Sequence, residues 1–222
     1  MTEPLRAVLF DLDGTLVDTA PDLAGAANEM RLARSLSALP FDALRPMASA
    51  GARGMIGAAL GASPGDTDYE SLRDEFLERY ERRMLAETRV FEAMAPVIDR
   101  LDEERWPWGI VTNKAQRFTL PVVEGLQLHR RAAIVVSGDT TPHAKPHPEP
   151  LLEASRRLGI RPADCVYVGD DLRDIQAGRA AGMATVVAGW GGQCQKNDLC
   201  VISGFSQVGR KMQATFFGIS FK

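Results

Sequence analysis

Five short apolar runs constrain this chain more than any other feature: residues 7–10, 109–112, 132–136, 165–168 and 184–188. Each is apolar almost throughout and too brief for a helix, the pattern of a strand covered on both faces. Helical patterns fill the gaps, and that alternation builds a parallel sheet with helices packed on both sides. The expected fold is therefore α/β, a Rossmann-like parallel sheet. The first gap is far longer than a crossover needs. Residues 19–88 read as several helices with no strand among them. Pro21 and Asp22 suit a first helical turn. Tyr69, Leu72, Phe76, Tyr80 and Met84 fall on one stripe of a later helix, which predicts a packed face. The expected organisation is a core formed by 1–18 and 89–192, with an α-helical cap inserted at 19–88.

Composition narrows the function by exclusion. The chain has 222 residues, enough for a sizeable core, and a net charge of −3, which gives no reason to expect nucleic acid or an anionic membrane as partner. No apolar run approaches membrane-spanning length, and the first residues lack the order of a signal peptide. Cys165, Cys194 and Cys200 are an odd number without metal-ligand spacing, which suggests a reduced, cytoplasmic compartment. Residues 193–222 differ in habit. They carry three lysines and one arginine, whereas the rest of the chain carries 20 arginines and two lysines, Lys114 and Lys145. Two readings of this tail stay open: a native last strand at Leu199–Ile202 followed by a short helix, or a segment from another reading frame or a fusion.

Polar clusters follow four of the expected strands, at the carboxyl ends where open parallel sheets bind ligands. They are Asp11-Leu12-Asp13-Gly14-Thr15, Thr112-Asn113-Lys114, Lys145-Pro146-His147-Pro148 and Gly169-Asp170-Asp171-Leu172-Arg173-Asp174. Residues two apart on a strand point the same way, so Asp11 and Asp13 are expected to face one cavity. Two crowded carboxylates are costly unless a cation neutralises them or one keeps its proton. That suits a magnesium site with a nucleophile beside an acid/base group. Both lysines of the arginine-rich body fall in these clusters. A compact ammonium fits between a carboxylate and a phosphate where a planar guanidinium does not.

These clusters, in this order, resemble the haloacid dehalogenase superfamily in its phosphatase branch. The likeness covers residues 5 to about 190. Within that branch, Phe10–Asp22, Trp108–Lys114, Lys145–Pro150 and Val168–Gly178 are most similar to phosphoglycolate phosphatases and N-acetylmuramic acid 6-phosphate phosphatases. The resemblance implies Mg²⁺-dependent hydrolysis of a small phosphomonoester, foremost 2-phosphoglycolate, through an aspartyl-phosphate on Asp11. It implies Asp13 as proton donor and then acceptor. It implies Mg²⁺ held by Asp11, the Asp13 carbonyl and Asp170, with Asp171 and Asp174 behind them. Thr112 and Asn113 would bind phosphoryl oxygens, and Lys145 would offset their charge.

Arg53, in a glycine-rich stretch that resembles the family's substrate-facing loop, is a candidate for an anionic substrate group. Arg173 and Arg117 read as structural, and His143 and His147 as surface. A sugar phosphate or a phosphomutase reaction are the alternatives for substrate and chemistry. Asp13 and Asp170 argue against a dehalogenase, and the complete set of motifs argues against a non-catalytic binding protein. The expected assembly is a monomer or homodimer.

Overall fold

Alternate residues of the first strand, β1 (Ala7–Phe10), enter two different cores. Ala7 and Leu9 pack with Leu151 and Ala154 of helix α7 (Glu149–Leu158) and with Ala177 of α8 (Leu172–Ala180). Val8 and Phe10 face the opposite cluster. That cluster includes Val97, Ile98 and Leu101 of α5 (Ala95–Glu103) and Val122 and Val123 of α6 (Gln116–Gly125). This period of two is what a strand between two helical layers requires. Burying each large apolar side chain contributes roughly 1.5–3 kcal/mol. The computed structural model describes residues 5–189.

The remaining strands of the sheet are β4 (Trp108–Val111), β5 (Ile134–Val136), β6 (Cys165–Gly169) and β7 (Ala184–Val187). All pair in parallel, in the order β5-β4-β1-β6-β7. All five expected strands are present, the first with the expected bounds and the others with ends displaced by one or two residues. The chain leaves β1 toward β4 and β5 on one side and later returns to β6 and β7 on the other. The carboxyl end of β1 is thus the point where strand order reverses, and a crevice opens there.

Residues 19–88 contain no strand. They form α1 (Ala20–Leu32), α2 (Phe41–Leu44), a 3₁₀ segment Arg45–Ala50, α3 (Gly51–Leu60) and α4 (Tyr69–Arg83). The stripe from Tyr69 to Met84 is buried, as its spacing predicts. A ribbon not foreseen from sequence frames this insertion: β2 (Val17–Asp18) pairs antiparallel with β3 (Arg89–Val90). Asp22 does more than complement a helix terminus. Fully buried, its Oδ2 accepts from the amides of Glu87 and Thr88 and from the Thr88 hydroxyl, so it ties the exit of the insertion to its entrance. The readings made for residues 193–222 lie outside the described residues.

Candidate active site

The loop after β1 turns at Gly14, whose φ of +78° is a left-handed conformation that costs glycine little. A Cβ there would lie 2.4 Å from Asp170 Oδ2. The turn therefore lets the backbone after Asp13 close against the carboxylate that follows β6. Asp11, 8% exposed, fixes its own backbone by donating its amide to the Val168 carbonyl at 2.8 Å. Carboxylate oxygens of Asp11, Asp170 and Asp174 all lie within 4.8 Å of one another.

Burial dominates the electrostatics here. It pushes the Asp11 carboxyl up to about 8, a rise that the adjacent Lys145 ammonium opposes and that Asp174, Asp170 and Asp13 reinforce. Burial and then Asp174 also push Asp170 up to about 6, against hydrogen bonds from Thr15 and Ser49. Lys145 lies in the same pocket, 3% exposed at its side chain. Burial works against its charge, yet Asp11 and Asp174 prevail and hold its ammonium above the ordinary lysine range.

Lys145 Nζ sits 2.9 Å from Asp11 Oδ1. It also donates to Asp174 Oδ1 at 2.7 Å, Tyr167 Oη at 2.7 Å and the Val111 carbonyl at 3.2 Å. Asp11 Oδ1 is left with the lysine ion pair and no other hydrogen-bond partner. A buried carboxylate oxygen in that state, beside two further acids, has the hard-oxygen chemistry of a divalent cation site. The residues present fit such an ion.

The other expected residues divide. Thr112, 2% exposed, lines the cavity and accepts the Lys114 amide at its hydroxyl. Asn113 lines it too, but its side chain is spent on the Lys145 backbone, Nδ2 donating to the carbonyl and Oδ1 accepting the amide. Asp174 Oδ1 anchors Lys145, while Oδ2 accepts the Asp171 amide in a capping box at the start of α8. Asp171 accepts from the Arg173 amide and guanidinium. Arg53 is not brought in. The glycine-rich stretch is the junction into α3 rather than a loop, and Arg53 lies exposed on that helix, outside the cavity lining.

Five site contacts were not read from sequence. Ser49 of the insertion donates its hydroxyl to Asp170 Oδ2 at 3.1 Å. Arg173 Nη2 donates to the Ser49 carbonyl at 2.8 Å. Lys114 Nζ donates to Asp13 Oδ1 at 3.0 Å and Oδ2 at 3.2 Å, and Thr19 donates to Asp13 Oδ1 at 2.6 Å. Tyr80 of α4 packs over Lys114. The fall of both lysines of the arginine-rich body in the polar clusters was the available signal for Lys114. A cavity of about 330 Å³ lies between the insertion and the sheet, the size of a small-molecule site. His143 and His147 are exposed, as expected, though Glu149 reaches His143 Nδ1 at 2.6 Å. Among the described residues, no helix is long and apolar enough to cross a membrane.

Comparison with known proteins agrees with this geometry. A family model for haloacid dehalogenase-like hydrolases matches residues 8–188. The chain is 43% identical over 187 residues to an N-acetylmuramic acid 6-phosphate phosphatase of Pseudomonas putida, covering 84% of each chain. It is 44% identical over 186 residues to a phosphoglycolate phosphatase of Xanthomonas campestris, again covering 84% of each. A predicted phosphoglycolate phosphatase of Haemophilus somnus shares the fold with a TM-score of 0.73 at 24% identity, over 84% of this chain and 86% of that one.

Proposed function

We propose that this chain, which belongs to the haloacid dehalogenase-like hydrolase family, is a phosphatase that hydrolyses 2-phosphoglycolate with the help of Mg²⁺. The observation that carries the reading is Asp11. A buried carboxylate at the switch point of the sheet, with a lysine at 2.9 Å and no other hydrogen-bond partner at that oxygen, supports the role of nucleophile.

Asp11, the Asp13 carbonyl and Asp170 would hold the ion, which when bound supplies positive charge that keeps Asp11 ionised and offsets the phosphoryl oxygens. Asp11 attacks phosphorus, and the bond to the leaving alkoxide breaks as Asp13 gives that oxygen a proton. Asp13 then takes a proton from water as it attacks the phosphorus of the aspartyl-phosphate, which restores Asp11 and releases inorganic phosphate. Lys145 stabilises the charge shared by Asp11 and the phosphoryl group, and Asp174 and Tyr167 hold that lysine in place. The Thr112 hydroxyl and the Asn113 backbone bind phosphoryl oxygens. Residues 19–88 act as a cap over the cavity, and 1–18 with 89–192 form the catalytic core. Asp171 and Asp174 keep the loop after β6 in shape. The absence of a long apolar helix among the described residues accords with a cytoplasmic enzyme acting on a small metabolite.

N-acetylmuramic acid 6-phosphate is the second reading for the substrate, favoured by the likeness to the Pseudomonas putida phosphatase. Phosphate release from a panel of phosphomonoesters with Mg²⁺, compared as kcat/KM, tests the proposal. Activity on 2-phosphoglycolate that disappears in Asp11→Asn supports it. No phosphate release from any ester, or wild-type activity in that variant, overturns it.

A further inference from the structure

Tyr80 carries a feature that phosphoryl chemistry leaves unused. It is 2% exposed and lines the cavity, yet its hydroxyl proton has no acceptor. Buried hydroxyl protons nearly always find an acceptor, and leaving one without is costly, so an unmet donor in a cavity-lining residue points to a ligand atom. Its partner is an acceptor, because burial holds the phenol protonated well above ordinary pH.

The Lys114 ammonium lies beside it. Lys114 Nζ stands 4.6 Å from the centroid of the Tyr80 ring, and as a donor it can reach the hydroxyl oxygen but cannot accept the hydroxyl proton. The lysine side chain is 8% exposed and also lines the cavity. Its ammonium is held in place by Asp13, 3.0 Å from Oδ1. Phe76 and Phe118 complete this wall with apolar surface, the Phe118 ring centroid 5.6 Å from that of Tyr80. A hydroxyl donor and an ammonium in apolar surroundings suit an acceptor that carries negative charge.

We infer that Tyr80 and Lys114 form the subsite for a carboxylate on the substrate, so that the helical insertion selects phosphomonoesters of hydroxy acids. This rests on the phosphatase reading above and sharpens it. The phosphoryl group goes to Asp11 and Lys145, and the carboxylate goes to Tyr80 and Lys114. A carboxylate close to the phosphate, as in 2-phosphoglycolate, and one carried on a sugar, as in N-acetylmuramic acid 6-phosphate, offer the same chemistry at different reach.

The test compares kcat/KM for 2-phosphoglycolate, N-acetylmuramic acid 6-phosphate and carboxylate-free ethyl phosphate, in the wild type and in Tyr80→Phe, which removes the hydroxyl alone. The preference for whichever acid is favoured over ethyl phosphate should fall about tenfold or more, chiefly through KM, the loss of one hydrogen bond to a charged group. The acid whose preference falls identifies the reach. Calorimetric titration of the same ligands into Asp11→Asn protein with Mg²⁺, with and without Tyr80→Phe, reads binding without turnover. Binding of an acid that depends on Tyr80, in a protein that releases no phosphate, would uphold this subsite while overturning the phosphatase reading. An unchanged preference, or no binding of either acid, would overturn the subsite.

Discussion

The Ser49 hydroxyl donates to Asp170 Oδ2 at 3.1 Å, so a residue of the helical insertion touches a carboxylate of the sheet across 121 positions of sequence. Arg173 grips the Ser49 carbonyl beside it, and together these contacts latch the insertion to the acidic cluster. Ser49→Ala keeps the backbone contact and removes the hydroxyl. We expect KM for the phosphomonoester to rise about three- to tenfold, the range of an ordinary net hydrogen bond, because the lost contact reaches substrate only through the latch. Steady-state kinetics checks this, and an unchanged KM would show that the latch does not matter to substrate binding.

Gly14 is the tightest backbone constraint on the site. Its φ of +78° and the 2.4 Å gap between a hypothetical Cβ and Asp170 Oδ2 mean that Gly14→Ala strains the turn and displaces a carboxylate at once. The backbone conformation alone costs about 1–3 kcal/mol. Urea unfolding should show a loss of at least that size, and isothermal titration should show weakened Mg²⁺ binding. Wild-type Mg²⁺ affinity would refute the placement of Asp170 in the ion site.

Lys145→Met removes the ammonium that faces both Asp11 and Asp174. Breaking a buried pair from one side costs about 3–5 kcal/mol, because the remaining charges are stranded. The loss should be greater at pH 8 than at pH 5, where Asp11, with its carboxyl near 8, is already protonated. Denaturant melts at both pH values measure the difference, and equal losses would contradict it.

The raised carboxyls also set a pH dependence for the cation. Asp11 near 8 and Asp170 near 6 stand above their ordinary 3.8, so the folded chain keeps protons that the unfolded chain loses. Without a cation, their contribution to stability is complete below about 4 and is lost as pH rises through 6 and then 8. A divalent cation competes with those protons and replaces what they supplied. The rise in Tm on adding MgCl₂ should therefore be larger at pH 8 than at pH 5. A rise of the same size at both would place the ion elsewhere.

Much of this was legible in the sequence because the informative signals are contiguous. A buried parallel strand is an unbroken apolar run, and each motif sits at the end of one, so β1, β4, β6 and the clusters after them could be read locally. The ribbon of β2 and β3 could not, since two-residue strands carry no period. Tyr80 was read as a packing residue, which holds for its ring, but its place in the cavity lining and its unmet hydroxyl proton depend on how α4 meets α6. Ser49 and Arg53 show the same limit. Both lie in one small-residue stretch, where composition favoured the arginine. The helical phase of α3 instead leaves Arg53 in solvent, and the 3₁₀ segment before it delivers Ser49 to Asp170.

The central claim is that Asp11 becomes phosphorylated during turnover. It is tested most directly by mixing the enzyme with Mg²⁺ and excess substrate, quenching in acid and mapping the peptides by mass spectrometry. The account predicts one phosphoryl group on the peptide carrying Asp11, absent in Asp11→Asn. Rapid phosphate release with no phosphorylated peptide at any quench time, or the label on another residue, would contradict it.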